Sequence, residues 1–212
     1  MLEFKKFVFN DFAENSYIIW CSESKEAAVI DPGCSNKDEE NEFANYIKQN
    51  ELNVKYLINT HCHIDHVIGN SFVLKTYNPE YLIPEKDLIL LEHFEKQCEA
   101  VGYRVDPPPL AEKFITGETK IKIGEITPQF LFTPGHTPGE YCIYFESEKK
   151  CLTGDVLFQQ SIGRTDLWGG DYETLINSIK SKLLPLNDDV IIYPGHGNES
   201  TIGEERNHNP FL

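Results

Sequence analysis

Residue types that bind metal ions are concentrated in one short segment of this sequence. The segment runs from Thr60 to His66 and reads THCHIDH, with three imidazoles and one carboxylate within six residues. Holding these groups close together has a considerable electrostatic cost unless a cation compensates for it, so the segment predicts a metal site. In an extended chain His61, His63 and Asp65 project to one side, whereas a turn at Asp65 directs His66 towards a second, neighbouring site.

Three later segments supply further donors, and each follows a predicted strand. His136 lies in the loop TPGHTPG, Asp155 ends the segment LTGD, and His196 lies in PGHG. A carboxylate at position 155 can bridge two cations, and every donor atom is nitrogen or oxygen, which suits zinc, iron or manganese. The donors therefore divide into two sets: His61, His63, His136 and Asp155 in the first, and Asp65, His66, Asp155 and His196 in the second.

Five other residues near these motifs receive a structural interpretation. In an extended segment the side chain of Cys62 points away from those of its neighbours, so we expect it to pack or to support the site. His93 lies in a helical stripe of mixed polarity and His208 near the C-terminus, and neither is expected to be a ligand. Arg164 either pairs with Asp166 or holds the carboxylate of a ligand, and we favour the pair.

Hydrophobic periodicity indicates the elements that position these segments. An apolar strand at 54–58 leads directly into the histidine segment, and each half of the chain runs from strands through a helix to a strand that ends in histidine. We therefore predict an α/β fold in which two sheets pack face to face with helices outside. The predicted strands are 4–9, 17–21, 27–30, 54–58, 121–126, 129–132, 141–145, 150–152 and 190–193, and the predicted helices are 36–49, 87–102 and 172–184.

Composition limits the class of protein. The chain has 212 residues, of which 40% are hydrophobic, enough for one domain spanning 1–212. Its formal net charge of −15 repels a phosphate backbone and does not favour an anionic membrane surface, which excludes nucleic acid and membrane partners. No apolar run has the length of a signal peptide or a membrane span. Because the six cysteines contain no CxxC pair, we predict a cytoplasmic protein.

At this point the chain resembles the metallo-β-lactamase-fold hydrolases and, within them, the short proteins similar to glyoxalase II, the hydroxyacylglutathione hydrolases. The resemblance covers nearly the whole length. It implies an αβ/βα four-layer sandwich with two metals at the open edge of the sheets, and it implies that Asp31 supports the metal loops. The motifs that carry it are Asp31-Pro32-Gly33, the segment His61 to His66, the His136 loop, Thr153-Gly154-Asp155, Ile162 to Leu167, Pro194 to Gly197, and the tail from Thr201 to Leu212.

The same resemblance implies hydrolysis of a small-molecule thioester by two divalent metal ions, zinc first among them. A hydroxide shared by two cations has its pKa lowered from ~15.7 towards ~7, which gives a nucleophile at neutral pH. Besides binding the second metal, Asp65 is the candidate catalytic residue that orients this hydroxide. A thiolate leaves without a general acid, and the motifs offer no obvious acid.

Two other activities remain open at this stage. Persulfide dioxygenases also resemble the chain and hold one iron through residues matching His61, His136 and Asp155, whereas lactonases share the full ligand set. The helical extension with which glyoxalase II proper holds glutathione has no counterpart here, so the thiol carrier is open as well. A metal-storing or purely structural domain is disfavoured, because the ligands leave room for water.

Overall fold

The N-terminal strands form a six-stranded sheet in the computed structural model, which describes residues 1–111 and 113–212. Short turns join the first three strands and make them antiparallel, whereas longer connections make the last three parallel to their neighbours. In the order in which they lie in the sheet, the strands are β1 (Leu2–Phe9), β2 (Glu14–Cys21), β3 (Glu26–Ile30), β4 (Asn53–Ile58), β5 (Glu80–Pro84) and β6 (Lys113–Ile115).

A second sheet of five strands is built from the C-terminal half of the chain. Its order is β13-β12-β9-β8-β7, and the pair β9 and β12 is parallel. A separate two-stranded ribbon, β10 with β11, lies outside both sheets. The strands are β7 (Gln129–Phe132), β8 (Tyr141–Phe145), β9 (Lys150–Gly154), β10 (Leu157–Phe158), β11 (Ser161–Ile162), β12 (Ile191–Pro194) and β13 (Ser200–Thr201).

Seven helices accompany the strands in the described part of the chain, and none of them combines the length and the apolar character that crossing a bilayer requires. The first is capped by Asn36, whose side chain accepts hydrogen bonds from the N–H groups of Asp38 and Glu39. The helices are α1 (Lys37–Gln49), α2 (Ile64–Val67), α3 (Asn70–Tyr77), α4 (Leu88–Glu92), α5 (Phe94–Val101), α6 (Tyr172–Ser178) and α7 (Ile202–His208).

The core has three apolar layers because side chains alternate across each buried strand. Along β2, Ile18 packs into an outer cluster with Phe43 of α1, whereas Ile19 packs between the two sheets in a cluster with Ile143. A third cluster joins the outer face of the second sheet to α6 through Leu175. Helices, sheet, sheet and helices thus follow one another, which confirms the predicted four-layer αβ/βα sandwich.

Three local predictions need correction. The predicted strand at 121–126 is wrong: Ile123 and Ile126 bond to each other's backbone in an isolated bridge, and Gly124 turns the chain at a φ of 61°. The predicted helix at 87–102 is divided at His93, whose φ of −105° and ψ of 20° leave the helical region. The predicted helix at 172–184 changes after α6 into a π-helical turn, Ile179–Leu183.

The outer layer provides a test of this packing. Phe43 is fully buried, and its ring lies 5.0 Å from that of Phe7, so Phe43→Ala leaves a cavity and is expected to lower the free energy of unfolding by about 3–5 kcal/mol. The control Phe211→Ala changes a half-exposed ring in the tail and is expected to cost less than about 0.5 kcal/mol. Urea denaturation measures both, and equal losses would contradict the described packing.

Candidate metal centre

The loops that carry the predicted donors meet at one edge of the two sheets. Asp31 follows β3, His61 follows β4, Asp155 follows β9 and His196 follows β12. Because β3 is parallel to β4 and β9 to β12, the carboxyl ends of these strands point towards the same edge. His136 joins them from the connection between β7 and β8.

Buried polar groups at the start of β2 tie the two sheets together at this edge. The backbone N–H of Asn15 donates to Gly195 O at 2.7 Å, and its side-chain amide donates to Pro194 O and Gly197 O, each at 2.9 Å. The hydroxyl of Tyr17 also donates to Pro194 O, at 2.7 Å. One sheet therefore fixes the loop of the other sheet that carries the last histidine.

The histidine segment changes conformation in its middle. The backbone is extended at His63 (φ −69°, ψ 152°), and α2 begins at Ile64, one residue before the predicted turn at Asp65. Asp65 and His66 therefore project from a helical turn. Cys62 is fully buried in the outer apolar cluster, as the alternation predicts.

A first group of imidazoles, His61, His63 and His136, brings its ring nitrogens together. Nδ1 of His63 lies 2.8 Å from Nε2 of His136, and Nδ1 of His136 contacts Arg164 O at 2.7 Å. Nδ1 of His61 faces Thr60 Oγ1 at 3.1 Å, and Nε2 of the same ring is buried without a hydrogen-bond partner. Two of the three rings are thus oriented by a contact at one nitrogen and present the other inward.

A second group consists of Asp65, His66 and His196. Nε2 of His196 lies 3.2 Å from Asp65 Oδ2, and Nε2 of His66 lies 3.7 Å from the same oxygen. The other nitrogen of each ring is held from behind, His196 Nδ1 by Phe12 O at 3.2 Å and His66 Nδ1 by Asp31 Oδ2 at 3.2 Å. Asp31 therefore orients His66, which agrees with the supporting role that the family resemblance implies for it.

Asp155 lies between the two groups. Its Oδ1 is 3.4 Å from His66 Nε2, and its Oδ2 is 3.5 Å from His136 Nε2 and 3.6 Å from His196 Nε2. Gly195 is required beside it, since a Cβ there would meet Asp155 Oδ1 at 2.3 Å and His66 Cε1 at 2.7 Å. This placement suits the bridging role predicted for the carboxylate.

Electrostatics favour the metal-binding forms of His61, His63 and Asp155, whereas His66 is held in its protonated form in the metal-free protein. Burial lowers the pKa of His61 well below its usual value and lowers that of His63 to about 3, so both rings are neutral. Burial acts to raise the pKa of Asp155, but His66, His136 and His196 together outweigh it and hold that pKa below its usual value. Burial likewise opposes the charged form of His66, but Asp155, Asp65 and Asp31 together outweigh it and raise the pKa of His66 well above its usual value. A cation entering the centre must therefore release a proton from His66.

The donor set fits divalent cations. Three inward-facing atoms, His61 Nε2, His66 Nε2 and Asp155 Oδ1, are buried without a hydrogen-bond partner, an arrangement that is costly unless an ion completes it. All seven predicted donors converge: the first group, the second group, and Asp155 between them. Such nitrogen and oxygen donors can hold two neighbouring cations.

Asp87 is a supporting residue that the sequence analysis missed. It ends the turn after β5 and is fully buried, and burial raises its pKa to about 6. Its Oδ2 accepts from Cys62 N at 3.3 Å and from Thr137 Oγ1 at 2.7 Å, and its Oδ1 accepts from Gly139 N at 2.7 Å. One carboxylate thereby joins the segment between His61 and His63 to the loop after His136. It was missed because β5 itself was not predicted.

Glu14 and Glu140 were missed as well, and each is fully buried behind a histidine. Glu140 Oε1 accepts from Asp155 N at 2.7 Å and lies 3.5 Å from His61 Nδ1, whereas Glu14 Oε1 lies 3.8 Å from His66 Nδ1. Burial raises the pKa of both carboxyls well above the usual value. The available signal for Glu140 was its place directly after the predicted loop TPGHTPG.

The remaining predictions concern exposed residues. Arg164 donates from Nε and Nη2 to the two carboxylate oxygens of Asp166 at 2.7 Å and 2.8 Å, so the structural pair is present. His93 contacts Ile89 O, and His208 pairs with Glu204 on the surface. Neither histidine belongs to a donor group.

Comparison with known proteins supports the interpretation of the site. A family model described as the metallo-beta-lactamase superfamily matches residues 9–196. The hydroxyacylglutathione hydrolase GloC of Haemophilus influenzae is 43% identical over 204 residues, which cover 95% of this chain and 93% of that protein. Among solved structures, BLEG-1 B3 metallo-beta-lactamase is 34% identical, with a TM-score of 0.90 and coverage of 99% of both chains. TTHA1623 in a di-iron-bound form is 29% identical, with a TM-score of 0.87 and coverage of 98% of this chain and 100% of that one.

The contacts of Asp87 generate one prediction. In Asp87→Asn an amide NH2 replaces one acceptor oxygen, so at least one buried donor loses its partner and the free energy of unfolding is expected to fall by about 1–3 kcal/mol. The control Asp189→Asn breaks an exposed pair with Lys149 and is expected to cost less than about 0.5 kcal/mol. Urea denaturation of the metal-free proteins makes the comparison, and a neutral Asp87→Asn would show that the carboxylate does not join the loops.

The position of Glu140 generates a second prediction. Glu140→Gln keeps the shape of the side chain but puts an amide in place of the carboxyl behind His61, which a bound cation would hold ionised, so metal affinity at the first group is expected to fall about tenfold or more. The control is Glu146→Gln, which changes an exposed surface contact with Gln129. Competition with a chromophoric chelator measures both variants, and an affinity equal to that of the control would rule out this role for Glu140.

Proposed function

The chain belongs to the metallo-beta-lactamase superfamily, and from this premise we propose that it is a thioester hydrolase that uses two divalent metal ions. The superfamily and the donor groups together imply binding of divalent metal. We propose zinc as the first candidate, although iron and manganese accept the same donors. The proposed substrates are small-molecule thioesters, and the hydroxyacyl-glutathione class named for the relative GloC is the first to be tested.

The convergence of the seven donors carries this proposal. His61, His63 and His136 form one group, Asp65, His66 and His196 form the other, and Asp155 faces both. A single metal ion would leave one of the two donor groups without a cation, and the buried nitrogens and carboxylates of that group would be uncompensated. The two donor groups therefore support a hydrolase with two metals over a dioxygenase with one iron. The dioxygenase and lactonase activities stay predictions.

The chemistry follows from the donors and the residues around them. When bound, two divalent cations lower the pKa of water and polarise a carbonyl oxygen. Asp65 lines the cleft above the centre, and His66 holds the pKa of this carboxyl below its usual value although burial opposes it, so Asp65 is ionised at neutral pH. Its carboxylate can accept a hydrogen bond from the attacking water and so orient it. The other donors hold the geometry.

The leaving group distinguishes a thioester from an amide. Apart from the donors, two of the described residues that line the cleft have polar side chains, Gln97 and Arg164. Gln97 bonds to three backbone groups and Arg164 pairs with Asp166, so neither offers a proton to an amine. A thiolate leaves without protonation, whereas a β-lactam amine needs a proton. The site therefore favours thioesters over β-lactams, the substrates that the name of the relative BLEG-1 B3 metallo-beta-lactamase indicates.

Metal content and activity test the proposal together. The purified, metal-supplemented protein is expected to hold two ions per chain by elemental analysis and to hydrolyse lactoyl-glutathione. His61→Ala and Asp155→Ala are each expected to lower kcat/KM about a thousandfold, since several kcal/mol of charge stabilisation are lost, without changing the circular dichroism spectrum. His208→Ala, which changes an exposed imidazole outside the donor groups, serves as the control.

Two results would contradict the proposal. One is full thioesterase activity in metal-reconstituted His61→Ala. The other is a single iron per chain together with oxygen consumption on glutathione persulfide, which would establish the dioxygenase alternative.

A further inference from the structure

The cleft above the metal centre has a volume of about 520 Å³, within the range of small-molecule sites. Its walls come from four separate parts of the chain: the turn before β2, the end of α5, the β10–β11 ribbon and the segment after it. Their side chains are almost all apolar. The principal wall residues are Phe12, Val101, Phe158, Ile162 and Leu167.

Three of these wall residues are large apolar side chains exposed to solvent around one cleft, whereas the other exposed side chains of this kind among the described residues lie outside it. Phe12 is 42% exposed, Val101 41% and Leu167 39%, although the core of the protein is well buried. Exposed apolar residues scattered over a surface need no explanation, but several around one concave site indicate a ligand that covers them. The cleft is therefore built to receive an apolar group.

Cationic side chains are scarce in the walls of this cleft. The one besides the histidines is Arg164, which is paired with Asp166 through two hydrogen bonds. Lys96 lines a neighbouring groove and does not line the cleft. Apart from the metal centre itself, the walls therefore offer the carboxylates of a thiol carrier little attraction, and the formal charge of −15 on the chain adds none.

We propose that this cleft selects substrates by apolar contact with the acyl group of the thioester, and that the thiol carrier is not recognised through its charges. Biological thiol carriers are polar and charged, so the acyl group is the part of a thioester that suits apolar walls. The favoured substrates then carry an uncharged, apolar acyl group such as a short fatty acyl chain. This inference rests on the proposed function and adds the substrate class to it.

A matrix of acyl groups and carriers tests the inference with the metal-loaded protein. Acetyl, lactoyl and hexanoyl thioesters are prepared on glutathione and on N-acetylcysteamine, a neutral thiol. A methylene that is fully buried contributes about fourfold, so in this open cleft kcat/KM is expected to be at least about tenfold higher for hexanoyl than for lactoyl on either carrier. Exchange of the carrier is expected to change kcat/KM less than about threefold, because no unpaired cationic side chain lines the described walls of the cleft.

The outcomes separate this inference from the proposed function. A preference for lactoyl over hexanoyl, or a loss of about tenfold or more on replacing glutathione, would overturn the inference and leave thioester hydrolysis standing. Hydrolysis of none of the six thioesters by protein with two metals per chain would overturn the proposed function, and this inference with it.

A pair of phenylalanine variants locates the selectivity. Phe12→Ser removes one wall of the cleft but keeps the backbone carbonyl that contacts His196, and it is expected to lower the ratio of hexanoyl to acetyl kcat/KM about fivefold. Phe211→Ser changes a ring of similar exposure in the tail, outside the cleft, and is expected to keep the parent ratio. Metal stoichiometry confirms that both variants are intact, and an unchanged ratio in Phe12→Ser would refute selection by these walls.

Discussion

The orientation of the donor imidazoles, four of the five by a contact at the second nitrogen, is the constraint on which the candidate centre depends. An unconstrained histidine can rotate and can carry its proton on either nitrogen, so neighbouring donors would be unlikely to converge on one point. Four of the five donor rings are fixed from behind, by a carboxylate, a hydroxyl or a backbone carbonyl. The contacts to Arg164 O and Phe12 O also tie the site to the walls of the cleft.

The four-layer fold supplies these contacts from both sheets. Parallel pairing brings the ends of β3, β4, β9 and β12 to one edge, and the contacts of Asn15 close that edge. The apolar clusters on both faces of each sheet keep the strands in register, so that the polar groups behind the donors stay buried. Ionised carboxyls at Glu14 and Glu140 are costly in such surroundings, which is why burial raises the pKa of both, and a cation bound at the centre would compensate for their charge.

The donors themselves were predictable from the sequence, whereas much of their support was not. His61, His63 and His66 stand in one dense segment, and His136, Asp155 and His196 each follow a predicted strand in a glycine-rich loop, so residue type and spacing were sufficient. Asp87 carries no such local signal, because its partners lie 25 to 52 residues away along the chain. The interruption of the helix at His93 and the isolated bridge at Ile123 also depend on tertiary packing, which the hydrophobic periodicity of the sequence does not indicate.

The bond between Asn15 and Gly195 spans nearly the whole chain, and it sets an order of assembly during synthesis. The first donor group and Asp155 all lie before residue 156, so a ribosome has added them when His196 is still 41 residues away. The second group needs His196, which is fixed only when the last long strand docks beside β9 and meets the start of β2. Pairing over such a distance is slow in folding. A nascent chain therefore has the ligands for one cation before it has those for the other.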